Sequence, residues 1–167
     1  MFRPQMTLFL LMLLQASKVA VGTANLYGQD LELCSTNGTA LTGFTRDGHC
    51  QDLGNDDAGS HHICITMRPD FCKVTGQPNW CERQLPCMGQ EGNCPIGNWC
   101  VCQWAFASYL DKWFQQGGFC ETSLDVDCDA TNLAAVKAYA ASQNPTHRRA
   151  LRCIREKCRA TATAIDL

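Results

Sequence analysis

Thirteen cysteines, all between Cys34 and Cys158 of a 167-residue chain, constrain this sequence more than any other feature. Outside the cytoplasm thiols at such density pair and cross-tie a fold; in a reducing compartment they more often hold metal or carry catalysis. Thirteen is odd, so six bridges leave one thiol for a partner chain, a metal or a reactive role. Spacing does not give the pairing, but it excludes one bridge. Cys153 and Cys158 lie five apart in an expected helix. Five residues turn a helix by roughly 500°, so the two side chains point about 140° apart. Each must therefore tie that helix to something else.

The N-terminus supplies the compartment. Arg3 gives a positive start, Thr7 to Leu14 a short apolar run, and Gly22-Thr23-Ala24 a small-residue cleavage site. This pattern predicts a signal peptide over residues 1–24 and entry into the secretory pathway, with a secreted or luminal product. The apolar run is shorter than the ~20 residues a membrane-spanning helix needs. No second apolar stretch follows and the mean hydropathy is negative, so no membrane span is expected after cleavage. Asn37-Gly38-Thr39 is a glycosylation sequon, used only if exposed in an exported chain.

Charge is unevenly placed. Residues 25–143 carry six basic and fourteen acidic side chains, and residues 144–167 carry six basic and two acidic. An acidic body with a basic C-terminal helix is a poor match to nucleic acid. Arg148, Arg149, Arg152 and Arg155 offer a polyanion contact; the plainer reading is a solvated helix docked through Cys153 and Cys158.

Along the chain, Asn25 to Leu33 reads as an edge strand and residues 34–60, rich in Gly, Asp, Asn and Thr, as loops. His62 to Met67 and Trp99 to Gln103 are β-rich and read as buried strands. Pro69 opens a short helix that Gly76 ends. Residues 77–98, with three cysteines, three prolines and three glycines, show no period and read as a long loop pinned by bridges. Phe106, Tyr109, Leu110, Trp113 and Phe114 recur at helical spacing up to Gly117-Gly118. Thr131 is expected to cap a helix over Asn132–Ala141, and Thr146 another from His147 to about Ala160. These elements predict an α+β fold in one domain over residues 25–143: a small sheet covered by helices, with five or six bridges hardening the loops.

Two sets of residues carry chemistry. Arg46, Asp47, Asp57, His61 and Trp99 converge on the loop face from Thr42 to His62 and suit an unknown small ligand or a protein partner, with no cofactor. Arg46 brings a two-pronged guanidinium for a carboxylate or phosphate. Cys50, His61, Cys64, Cys100 and Cys102 form the alternative, a zinc or iron site or a thiol/His enzyme in which Asp47 or Asp57 orients His61. No CxxC pair supports the metal, and half-cystines are the favoured reading of these sulfurs. Asp125, Asp127 and Asp129 alternate as calcium ligands do, but without the central glycine and distal glutamate; a solvated edge is favoured.

The ordered motifs resemble a known family. Leu31, Cys34, Ser35, Thr42-Gly43-Phe44, Arg46-Asp47-Gly48, Cys50, Asp57, Gly59, His61, Cys64, Trp99-Cys100 and Cys102 match the small, mainly bacterial family called domain of unknown function 2237. The likeness covers residues 25–135. It implies a compact α+β domain and no particular biochemical activity, so whether the chain is an enzyme stays open. It also implies that Cys34, Cys50, Cys64, Cys100 and Cys102 are an older reduced or ligand-bound set, with the other eight cysteines as staples for export. The chain departs from the family in its cysteine-rich stretch near residues 76–98, in Asn132 where the family has histidine, and in the basic helix after Asn144.

Overall fold

The computed structural model describes residues 21–78 and 80–158. The expected signal peptide lies mostly outside these residues. Four helices and two small antiparallel sheets make an α+β domain: β1 (Ile63–Thr66), α1 (Phe71–Thr75), β2 (Gln84–Pro86), β3 (Asn93–Pro95), β4 (Asn98–Val101), α2 (Gln103–Gln115), α3 (Leu133–Ala141) and α4 (Pro145–Cys158).

β1 and β4 pair with Ile63 opposite Val101 and Cys64 opposite Cys100. Strand side chains alternate between faces. Ile63, Ile65, Trp99 and Val101 accordingly enter the main core, while Cys64 and Cys100 form a second buried cluster with Cys34, Cys50 and Ala130. A two-stranded sheet leaves two edges of unpaired N–H groups. Thr42 Oγ1 accepts from the Cys100 N–H at 2.8 Å and Thr131 Oγ1 from the Cys64 N–H at 3.1 Å. Both threonines are fully buried.

α2 buries Phe106, Tyr109 and Leu110. Against them pack α1 and α4, and α4 also packs on α3. Six disulfides close the structure: Cys34–Cys64, Cys50–Cys100, Cys72–Cys81, Cys87–Cys94, Cys120–Cys153 and Cys128–Cys158. Cys153 and Cys158 each tie α4 to another segment, as their opposed directions require. The basic helix is thus docked on the rest of the described structure through both cysteines. Among the described residues no helix is long and apolar enough to cross a membrane.

Several local expectations are corrected. Residues 25–33 make two isolated bridges and no strand, because Asn25 Oδ1 accepts from the N–H groups of Tyr27 and Gln29 at 3.0 Å and turns the chain. The stretch 77–98 is not all loop: β2 and β3 form a hairpin closed by Cys87–Cys94. Asn132, not Thr131, caps α3, accepting from the Ala134 N–H at 2.9 Å. Pro145 opens α4, and Asn144 Oδ1 accepts from the Thr146 N–H. Structured contacts begin before residue 25: the Gly22 carbonyl accepts from Asn132 Nδ2, and the Ala24 carbonyl from the Leu133 N–H.

Candidate functional site

Two of the six bridges fix the loop that carries Arg46 against the sheet. Cys64 and Cys100, neighbours across the sheet, bond not to each other but to Cys34 and Cys50. The loop between them is thereby clamped to the sheet at both ends. Gly43 in this loop has φ +88°, and a Cβ there would fall 2.6 Å from the His49 carbonyl oxygen, so only glycine fits. The turn carries Arg46 over Trp99, its guanidinium carbon 4.9 Å from the ring centroid.

Trp99 in turn packs on Trp80 with centroids 5.6 Å apart, and Trp80 Nε1 donates to Gln77 Oε1 at 2.9 Å. Between these parts lies a cavity of about 370 Å³, lined by Phe44, Arg46, His61, Arg83 and Cys102 as well as both tryptophans. Two guanidinium groups, a floor of two tilted tryptophan rings, an imidazole and a thiol therefore share one concave surface.

Asp57 anchors His61 from behind. The carboxylate is fully buried, and its Oδ1 meets His61 Nδ1 at 2.7 Å. Oδ2 accepts from the His61 backbone N–H at 2.7 Å, and Oδ1 from the Gly59 N–H at 3.1 Å. Burial alone would raise the carboxyl pKa; the hydrogen bonds from His61 and Gly59 outweigh it and hold Asp57 below the ordinary carboxylate value. An ionised carboxylate only accepts, so Nδ1 carries the proton and Nε2 remains for other chemistry. A Cβ at residue 59 would lie 2.3 Å from His61 Cε1, which explains Gly59.

The linkage has a definite sign. A carboxyl whose folded pKa lies below its unfolded value of 3.8 stabilises the fold above that pH and loses this contribution as pH falls through the folded value. Asp57→Asn is expected to cost about 1–3 kcal/mol at pH 7, with a smaller difference from wild type at pH 3. Urea unfolding at the two pH values checks this.

Cys102 stands at the junction of β4 and α2, as the N-cap of α2, with no side-chain capping bond. It is the one free cysteine. The Gln103 N–H donates to the Ser60 carbonyl at 3.0 Å, and the Gln103 side chain meets His62 Nδ1 at 3.0 Å. Residues on both sides of His61 are thus bonded to the residue next to Cys102.

Of the residues expected to bind, Arg46, His61 and Trp99 line the cavity and Asp57 supports it. Asp47 does not line it: its oxygens accept from the His49 N–H and Gln51 Nε2, bracing the turn. In this oxidised form most sulfurs of the alternative metal set are bonded to one another or to Cys34. Cys50, Cys64 and Cys100 are half-cystines, which have no thiolate to offer, and only His61 and Cys102 keep free ligand atoms. The sulfurs of Cys34, Cys50 and Cys64 do lie within 4.8 Å of one another, brought together by the two adjacent bridges.

Two of the four α4 arginines expected to meet a polyanion have partners within the fold. Arg149 pairs with Asp111 on α2, and Arg148 donates to Gln143 Oε1 and the Ser142 carbonyl. Asp127 Oδ1 accepts from the Ala130 N–H, and Asp129 Oδ1 meets Asn25 Nδ2 at 3.5 Å, so these carboxylates hold backbone and loop.

Trp80 and Arg83 were not legible as site residues, because they sit in a stretch without period. A comparison with curated proteins finds no match. The family model described as "uncharacterized protein conserved in bacteria (DUF2237)" matches residues 24–155, further than the 25–135 expected and into α4. The chain, with its clamped loop and cavity, belongs to this family.

Proposed function

We propose that this protein is an exported, disulfide-hardened module that binds a small planar anion in the cavity between Arg46, Arg83, Trp80 and Trp99. The observation that carries the reading is the Arg46 guanidinium carbon lying 4.9 Å over the Trp99 ring at the edge of a cavity of about 370 Å³. This cation–π contact holds the head group at the cavity, where its N–H groups can grip a carboxylate or phosphate. The aromatic floor rewards a flat apolar body attached to that anion. Six bridges suit an oxidising compartment, consistent with export through the N-terminal signal. The exposed turn holding Asn37 suits glycosylation of such a product.

Phenyl phosphate and benzylamine, titrated against the tryptophan fluorescence of the Cys102→Ser protein, test the reading. Phenyl phosphate is expected to give a saturable change that Arg46→Ala weakens about tenfold or more, the loss of one charged hydrogen-bonding group. Benzylamine is expected to give none. No saturation with phenyl phosphate, or equal binding by the Arg46→Ala protein, would contradict it.

A further inference from the structure

We propose that Cys34, Cys50, Cys64 and Cys100 form a tetrathiolate zinc site when their two bridges are reduced. The inference is independent of the anion reading. It also departs from the metal set expected from the sequence, with Cys34 in place of His61 and Cys102.

The sulfurs of two separate bridges meet at one place. Those of Cys34, Cys50 and Cys64 lie within 4.8 Å of one another, and Cys100 is bonded to Cys50. Among the described residues no other three Cys, His, Asp or Glu ligand atoms come together in this way. A bridge that serves only as a staple needs no third sulfur beside it. A tetrahedral zinc with Zn–S bonds of about 2.3 Å needs its sulfurs about 3.8 Å apart. The contraction required of these three is thus at most about 1 Å, which side-chain rotation supplies. Cys64 and Cys100 face each other across the sheet, with both N–H groups pointing outward to Thr131 and Thr42. In such a non-hydrogen-bonded pair the Cα atoms are about 4.5 Å apart and the side chains are closest. Freed from Cys50, the Cys100 sulfur therefore turns toward Cys64 without movement of the strands.

The ligand-bearing segments are also held together without sulfur. The Cys34 N–H donates to the Gly48 carbonyl at 2.8 Å, and the Gly48 N–H donates to the Thr42 carbonyl at 3.0 Å. Cys50 follows Gly48 by two residues, and Thr42 in turn accepts from the Cys100 N–H. Opening the two bridges leaves this network in place, so the four thiols stay near one another. All four cysteines are buried, with Ala130 as the other member of their cluster. A closed, all-thiolate tetrahedral set is the ligand class of structural zinc.

The conversion takes four electrons and four protons. Two molecules of a dithiol supply them and become cyclic disulfides, while Cys34–Cys64 and Cys50–Cys100 become four thiols. Zinc then replaces the four thiol protons, forming four Zn–S bonds and releasing four protons to solvent.

Native mass spectrometry of the protein reduced by a water-soluble trialkylphosphine, without oxygen and with equimolar zinc, tests the site. The phosphine takes the place of the dithiol and ends as its oxide. The expected result is one zinc per chain after desalting, and none on the oxidised protein. Alkylation of the zinc-loaded chain followed by peptide mapping is expected to spare Cys34, Cys50, Cys64 and Cys100 and to label the other reduced cysteines. Cobalt in place of zinc is expected to show the intense visible absorption of a tetrahedral cobalt thiolate. Cys34→Ala is expected to weaken zinc binding by more than about a hundredfold, since losing even an outer-shell partner costs roughly 10–100-fold. Cys87→Ala combined with Cys94→Ala, which removes a bridge elsewhere, is expected to leave zinc binding unchanged. No retained zinc, protection of other cysteines instead of these four, or equal losses in the two variants would overturn the proposal.

Discussion

Replacing Cys50 and Cys100 together by alanine is expected to cost about 4 kcal/mol, the largest loss from removing any single bridge. The bridge spans 50 residues, and the chain-entropy relation gives about 4 kcal/mol for a loop of that size. Cys87–Cys94 spans only 7, for which the same relation gives about 2 kcal/mol. The difference reaches the site as well. Cys100 lines the cavity, and its backbone N–H holds Thr42 next to Gly43. Losing the first bridge should therefore abolish phenyl phosphate binding, while losing the second should spare it. Urea unfolding of the two double variants, with fluorescence titration of each, measures both effects. Equal stability losses, or binding retained without Cys50–Cys100, would show that the bridges do not hold the cavity.

Tyr109→Ala is expected to cost about 3–5 kcal/mol, the range for deleting a large buried aromatic side chain. Tyr109 is fully buried and stacks between Phe71 and Trp113, with centroids 5.6 Å and 6.4 Å away. Its hydroxyl donates to Asp70 Oδ1 and Oδ2 at 3.2 and 3.1 Å. Tyr109→Phe keeps the stack and should cost only about 1 kcal/mol. Both variants also remove a hydroxyl that titrates in alkali. Burial, then the Asp70 charge, pushes the Tyr109 hydroxyl up to about 12 from its ordinary 10.0. The folded state thus holds the phenolic proton more tightly, so this contribution is full below pH 10 and disappears as pH rises toward 12. Tyr27 and Tyr139 are raised as well. The difference between wild type and Tyr109→Phe in an absorbance titration isolates the Tyr109 share.

What the sequence made legible followed from strong local signals. The β-rich run from His62 to Met67, the apolar stripe of α2 and the stop at Gly76 each arise from a few neighbouring residues, and all three are found. The odd thiol was legible as a count but not as a residue. Cys100 and Cys102 stand in one Cys-Val-Cys, and their fates separate only because the chain leaves β4 after Val101 and enters α2. The β2–β3 hairpin escaped notice because its strands are three residues long and contain proline at both outer ends of the pairing. Asn25 turns the chain where an edge strand was expected, since an asparagine carboxamide competes with backbone pairing. Half of the cavity was equally hidden. Arg46, His61 and Trp99 belong to motifs, whereas Trp80 and Arg83 reach the site only through folding of the cysteine-rich segment.

Alkylation of native protein before any reductant, followed by peptide mapping without reduction, tests most directly that bridges fix this fold and leave one sulfur at its cavity. The expected map shows Cys34–Cys64, Cys50–Cys100, Cys72–Cys81, Cys87–Cys94, Cys120–Cys153 and Cys128–Cys158, with label on Cys102 alone. Label spread over Cys34, Cys50, Cys64 and Cys100, or Cys102 found in a bridge within the chain, would contradict it.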